Sequence, residues 1–219
     1  MIFPRQPLKL VDCSEHGIGS GAELYVVEGD SAAGAVARLR NERYQAVLPM
    51  QGKPLNTLRV SGDKVVENRW FRALIDALGT GIGEACNVAA SRFDRVILLM
   101  DPDADGIHCS ALAQCFFYKW MRPIVDAGRL GTALAPLATV EVGEPTDPQF
   151  TRHHMRTEPE LRHLLATLAG RADVTLRRYR GLAGTDLAAL DATCLDPTTR
   201  LLRRLTTADA EAMIAAFGR

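Results

Sequence analysis

The stretch Arg95-Val96-Ile97-Leu98-Leu99-Met100-Asp101-Pro102-Asp103-Ala104-Asp105-Gly106-Ile107-His108 constrains this chain more than any other. A continuous apolar run enters it. Three aspartates at alternate positions leave it, and a glycine follows. Such a run, bounded by polar turn residues, reads as a buried, central strand of a parallel sheet. Pro102 stops the strand, because a central ladder needs the N–H that proline lacks. The aspartates therefore lie at the C-terminal end of a strand, where open α/β sheets bind ligands. Carboxylates packed this closely are costly to ionise together without a cation. An acidic all-oxygen cluster suits Mg²⁺ or Mn²⁺. The spacing partly matches a calcium loop, but the glutamate such a loop needs is replaced by apolar residues around Ala111-Leu112. Standing alone, the motif reads more simply as an acidic surface loop. A second acidic strand end, far upstream, decides for a site.

That second end is Glu28. Residues 22–28 form a short β-rich strand, and Glu28-Gly29-Asp30-Ser31 closes it. A helix follows over 32–39, with Asp30 or Ser31 as its N-cap. Its small first-turn side chains permit close approach to a sheet. Residues 44–50 read as another strand, followed by the loop Gln51-Gly52-Lys53-Pro54-Leu55-Asn56. Lys53, between a glycine and a proline, suits a phosphate contact. It equally suits an ordinary solvent-exposed loop.

Residues 68–78 have helical apolar spacing, with Trp70, Phe71, Leu74, Ile75 and Leu78 on a core stripe. Gly79, Gly81 and Gly83 stop it and predict unusual φ angles or close backbone approach. They follow a helix, not a strand, so they do not form a dinucleotide fingerprint. Cys109 to Val125 reads as a long, broadly buried helix. His108 near its start is either a contact to phosphate or metal-bound water, or a satisfied ring. Residues 128–136 give a turn and a further strand. The alternation of strands and helices predicts an α/β fold: a mostly parallel, Rossmann-like sheet with helices on both faces.

After Leu137 the texture changes. Residues 141–157 read as a loop or hairpin, 159–168 as a helix and 173–182 as a basic segment. Residues 186–190 and 207–217 read as further helices, with a short turn at 196–200 between them. The expected division is a lead-in over 1–21, irregular because of Pro4, Pro7 and its glycines, a main domain over 22–136 and a small, mainly helical tail over 137–219.

The 26 basic and 26 acidic side chains cancel, so no general drive toward nucleic acid exists and any such contact is local. Cys13, Cys86, Cys109, Cys115 and Cys194 are scattered and form no C-x-x-C pair. They read as free thiols in a reducing cytoplasm. No signal peptide or membrane-length apolar span is evident.

Glu28-Gly29-Asp30-Ser31-Ala32, Leu48-Pro49-Met50-Gln51-Gly52-Lys53-Pro54-Leu55-Asn56 and Asp101-Pro102-Asp103-Ala104-Asp105-Gly106-Ile107-His108 together resemble the TOPRIM domain of type IIA topoisomerases, in the family of the DNA gyrase and topoisomerase IV B subunits. Lys9-Leu10-Val11-Asp12-Cys13, Arg178-Tyr179-Arg180-Gly181-Leu182 and the segment 193–200 extend the resemblance over nearly the whole chain. The resemblance implies Glu28, Asp101, Asp103 and Asp105 as metal ligands, with Glu28, Lys53 and His108 in the catalytic set. It implies Lys53, Asn56, Arg178 and Arg180 as DNA contacts. It also implies Mg²⁺ as cofactor, with Mn²⁺ as an alternative, and double-stranded DNA as partner. The resemblance further implies a gyrase-subunit-A-like chain that supplies the attacking tyrosine, and it leaves room for a separate ATPase chain; no ATP site is evident in this sequence.

The chain departs from the family pattern at Ala138-Thr139, where an aromatic and a lysine are usual. It departs again at Ala183-Gly184-Thr185, where an acidic residue is lost. Three functions follow as expectations: the metal-binding half of a topoisomerase cleavage site, a diverged binder of DNA or of a topoisomerase partner, or a metal-dependent nuclease.

Overall fold

The computed structural model describes residues 9–217, so Pro4 and Pro7 of the lead-in lie outside the described residues. Strand β1 (Glu23–Glu28) runs into helix α1 (Gly29–Leu39) and strand β2 (Gln45–Met50). A 3₁₀ turn at Thr57–Arg59 precedes α2 (Gly62–Glu67) and α3 (Arg69–Leu78). Strand β3 (Arg95–Leu99) leads to α4 (Ala104–Trp120), α5 (Arg122–Asp126) and β4 (Leu130–Ala133). The tail holds β5 (Ala138–Val142), β6 (Thr151–Met155), α6 (Glu158–Thr167), β7 (Val174–Arg178), α7 (Leu187–Leu190), a π-helical turn (Asp191–Leu195), β8 (Leu202–Arg204) and α8 (Thr207–Phe217).

The architecture is α/β. Strands β2, β1, β3 and β4 pair in that order, all parallel, and β8 adds an antiparallel edge to β4. Their side chains alternate between two cores, as the two-residue strand period requires. Leu24, Val26, Leu48 and Leu98 face α3 and α4. There Phe71 stacks on Phe116 with ring centroids 4.3 Å apart. Tyr25, Val27, Val47, Ile97 and Leu99 face the small residues Ala32, Ala33 and Ala35 of α1. The tail contributes Leu182, Leu190, Cys194 and Leu195 to this second core. Both faces are covered, which explains why these strands read as continuous apolar runs.

Three boundaries differ from the sequence reading. Neither Asp30 nor Ser31 caps α1; the helix starts at Gly29, with Glu28 in the cap position and no side-chain cap bond. Gly29 takes φ 78°, which lets the strand turn directly into the helix. The long helix begins at Ala104 rather than Cys109, because Asp103 caps it by accepting from the Gly106 N–H at 2.8 Å. It breaks at Met121, just ahead of Pro123, which cannot donate within a helix. The basic segment 173–182 holds a strand, β7, which flanks β5 in a three-stranded antiparallel sheet, β6-β5-β7. The tail still carries more helix than strand. Gly79, Gly81 and Gly83 all have positive φ, as their clustering predicted.

Candidate metal and nucleic-acid site

Register brings the acids together. Strands β1 and β3 pair Val27 with Leu99, so Glu28 and Met100 come level at the C-terminal ends of adjacent strands. Asp101 follows one residue on. Adjacent strands lie about 4.8 Å apart. Asp103 and Asp105 continue onto the first turn of α4.

The local electrostatics show one shared field. Burial raises the Glu28 carboxyl above its ordinary range, and the charges of Asp101, Asp103 and Asp105 raise it further. The Cys109 thiol lies 3.9 Å from Glu28 Oε1. Glu28 Oε2 is buried and has no hydrogen-bond partner among the described residues. A buried carboxylate oxygen without a donor is costly, and a cation is one group that satisfies it. Burial also raises Asp101, with Asp103 adding to the effect. Against this, the Leu182 N–H donates to Asp101 Oδ1 at 2.8 Å.

Two glycines permit this packing. A Cβ on Gly106 would strike the Asp101 backbone. A Cβ on Gly181 would lie 2.7 Å from Asp101 Oδ2. Gly106 therefore lets α4 start directly over the strand end, and Gly181 lets the tail close on the first aspartate.

Lys53 projects from the β2 loop to Asp105, with Nζ 3.0 Å from Oδ1. That bond holds Asp105 below its ordinary value and Lys53 above its own. His108 is half-buried on α4. Asn56 uses its side-chain oxygen to cap the 3₁₀ turn, accepting from the Leu58 N–H at 3.1 Å. Arg180 is exposed beside Gly181. Arg178, by contrast, is held in a bidentate pair with Glu158. Tyr179 between them is buried, and its hydroxyl donates to Thr139 Oγ1 at 3.0 Å.

Asp12, Cys13 and His16 form a second cluster capable of holding a metal ion, with ligand atoms all within 4.8 Å of one another. The acids at the strand ends are not drawn together to that extent. However, Arg92 donates to Asp12 Oδ2 and lies 3.2 Å from His16 Nε2. A guanidinium thus already supplies positive charge there. Arg92 precedes β3, so this cluster sits at the opposite end of the sheet from Glu28 and Asp101.

The sequence reading missed Leu182 and Cys109 as neighbours of the acids. Gly106 and Gly181 were the available signals, because each glycine marks a close approach. The five cysteines are free thiols, as read from their spacing. Among the described residues no helix is long and apolar enough to cross a membrane.

Residues 23–132 match the Toprim domain family. The chain is 38% identical over 204 residues to the B subunit of DNA gyrase from Halalkalibacterium halodurans, a match covering 93% of this chain and 31% of that protein. The gyrase B subunit of Enterococcus faecalis gives the same identity and coverage. That of Streptococcus pneumoniae is 38% identical over 205 residues. The chain thus spans about a third of the length of these relatives. With the Toprim match over its sheet and the gyrase similarity running on through its tail, this chain belongs to the Toprim domain family, with a C-terminal region homologous to that of the DNA gyrase B subunit.

Proposed function

We propose that this chain is the Mg²⁺-binding half of a type IIA topoisomerase cleavage site, acting on double-stranded DNA with a tyrosine from a gyrase-subunit-A-like partner. The observation that carries this reading is the strand register that puts Glu28 and Asp101 at neighbouring strand ends, with the charges of Asp101, Asp103 and Asp105 acting on Glu28, whose buried Oε2 lacks a hydrogen-bond partner among the described residues. Glu28, Asp101 and Asp103 would hold the ion, and Asp105 completes the acidic set. When bound, a divalent ion supplies charge neutralisation at a scissile phosphate and at the departing oxygen. Glu28, raised by burial and then by the neighbouring aspartates, suits proton exchange with a 3′-oxygen. Lys53, which reaches Asp105, would serve as a phosphate contact together with Asn56, Arg178 and Arg180, and His108 would act with the acids in the catalytic set.

Three of the chain's four tyrosines are engaged away from the acids, and the fourth, Tyr44, leads into β2 at the opposite end of the strand from the acids, which supports an external nucleophile. Tyr25 and Tyr179 are buried, and Tyr118 donates to Glu211 at 3.1 Å. A separate ATPase chain would supply the energy for strand passage. Free thiols at every cysteine agree with a cytoplasmic setting. The engagement of these tyrosines elsewhere also favours a second reading, a nuclease that uses water at the same acids.

The test is incubation with supercoiled DNA and Mg²⁺ or Mn²⁺, with and without a subunit-A-like chain. Covalent protein–DNA product only with the partner supports the topoisomerase reading. Partner-independent nicking supports the nuclease. A stable complex without either product leaves a binding protein. Retention of metal-dependent activity after Asp101→Asn and Asp103→Asn overturns the site.

A further inference from the structure

The four acids are not held alike. Asp101 is fixed by the Leu182 N–H and Asp103 by the Gly106 N–H. Glu28 is half-buried against Cys109. Asp105 instead pairs with a lysine, and both members are open to water, with side chains 50% exposed at Lys53 and 74% at Asp105. Water screens such a pair and makes its partners easy to exchange. Lys53 stands between Gly52, which takes φ 74°, and Pro54, which is buried. The loop is therefore anchored while the side chain swings on a flexible stem.

We propose that Lys53 is an exchangeable cation, neutralising Asp105 until a divalent ion takes over that charge, and then turning to a DNA phosphate. This rests on the metal-and-DNA reading above and deepens it. Ion and DNA then bind cooperatively, each tightening the other by the same factor, because linkage is reciprocal. The charge left by Lys53 is replaced as it leaves, so the acids never face the phosphate uncompensated.

The test reads binding, not cleavage. Affinity for a labelled DNA duplex is measured by fluorescence polarisation at about 50 mM salt, where phosphate contacts are strong, in EDTA and in Mn²⁺. The chains compared are wild type, Lys53→Gln, Asp105→Asn, Asp103→Asn and the Lys53→Gln/Asp105→Asn double variant. Mn²⁺ binding is followed separately by electron paramagnetic resonance. In EDTA, Asp105→Asn frees the lysine and tightens DNA roughly tenfold, the worth of about one phosphate contact at this salt. The double variant loses that gain. Asp103→Asn reports the effect of removing charge alone and gives a smaller gain. In wild type, Mn²⁺ tightens DNA binding. Lys53→Gln weakens this coupling and lowers the salt slope by about 0.9.

A gain from Asp105→Asn that persists without Lys53 overturns the proposal, as does undiminished Mn²⁺ coupling in Lys53→Gln. Failure of wild type to bind Mn²⁺ at millimolar concentration sinks the metal reading instead. The EDTA arm still decides whether Asp105 restrains Lys53.

Discussion

Replacing Gly181 with alanine isolates the contact between the tail and the first aspartate. The new Cβ would sit 2.7 Å from Asp101 Oδ2 and 3.1 Å from its Cγ, both closer than van der Waals packing allows. Backbone strain is not the cause, since Gly181 has φ 178°, an extended conformation open to any residue. The loop cannot simply retreat, because the next residue, Leu182, is fully buried in the core against β1, β3 and α1. The carboxylate must therefore rotate and give up the Leu182 N–H. A hydrogen bond to a charged group contributes about 1.5–3 kcal/mol. At about 1.4 kcal/mol per factor of ten, Mn²⁺ affinity falls by roughly 10- to 100-fold. Calorimetric titration with Mn²⁺ measures this, and thermal melting in EDTA reports whether the fold survives. Gly184→Ala is the control, because a Cβ there meets nothing within 4 Å. A folded Gly181→Ala protein with wild-type Mn²⁺ affinity refutes the idea that the tail amide positions Asp101.

Arg200→Met leaves Glu23, at only 4% side-chain exposure, without its hydrogen-bonded guanidinium and with only the half-exposed Arg95 at 3.8 Å. The expected loss is about 3–5 kcal/mol in urea denaturation, part of it recovered by adding Glu23→Gln. Glu28 and Asp101 are both raised from ordinary values of 4.5 and 3.8. The native state thus binds protons more tightly than the unfolded chain, and these groups lower metal-free stability as pH rises through that window. Glu28→Gln accordingly raises the EDTA melting temperature at pH 7.5 and leaves it unchanged at pH 4, and Mg²⁺ stabilises wild type more at pH 7.5 than at pH 4. Equal Mg²⁺ effects at both values contradict the shared-field argument. Tyr179→Phe removes a buried hydroxyl that bonds Thr139, costing about 1 kcal/mol in stability. DNA cleavage with a tyrosine-bearing partner should persist in this variant, and its loss would make Tyr179 part of the chemistry.

The sheet was legible because its strands are buried on both faces, so apolar runs and their alternation with helices carried the topology. The acids were legible for a related reason: proline and glycine mark where Asp101, Asp103 and Asp105 leave the strand. The start of α4 was not, because Asp103 is at once a candidate ligand and a helix cap, and only geometry reveals the second role. Strand β7 was hidden because its residues are largely exposed, which removes the apolar signal. The Arg178 pair with Glu158 is a partner choice across 20 residues that periodicity does not encode.

The least legible contacts join the two ends of the sequence. All four acids come from residues 28–105, yet the amide that holds Asp101 comes from Leu182, 81 residues further on. Arg200 reaches back to Glu23, at the start of the strand that ends in Glu28, across 177 residues. Tyr25, on that same strand, donates to the Cys194 carbonyl at 2.9 Å. Such contacts close large loops, and their entropic cost must be met by burial. Tyr25, Val27, Ile97 and Leu99 supply that burial against Leu182, Leu190 and Leu195. The strands that present Glu28 and Asp101 are thus roofed by the segment that orients Asp101. Docking of the tail and placement of Asp101 are therefore physically linked, because Leu182 both fills the core under the sheet and donates its amide to that carboxylate.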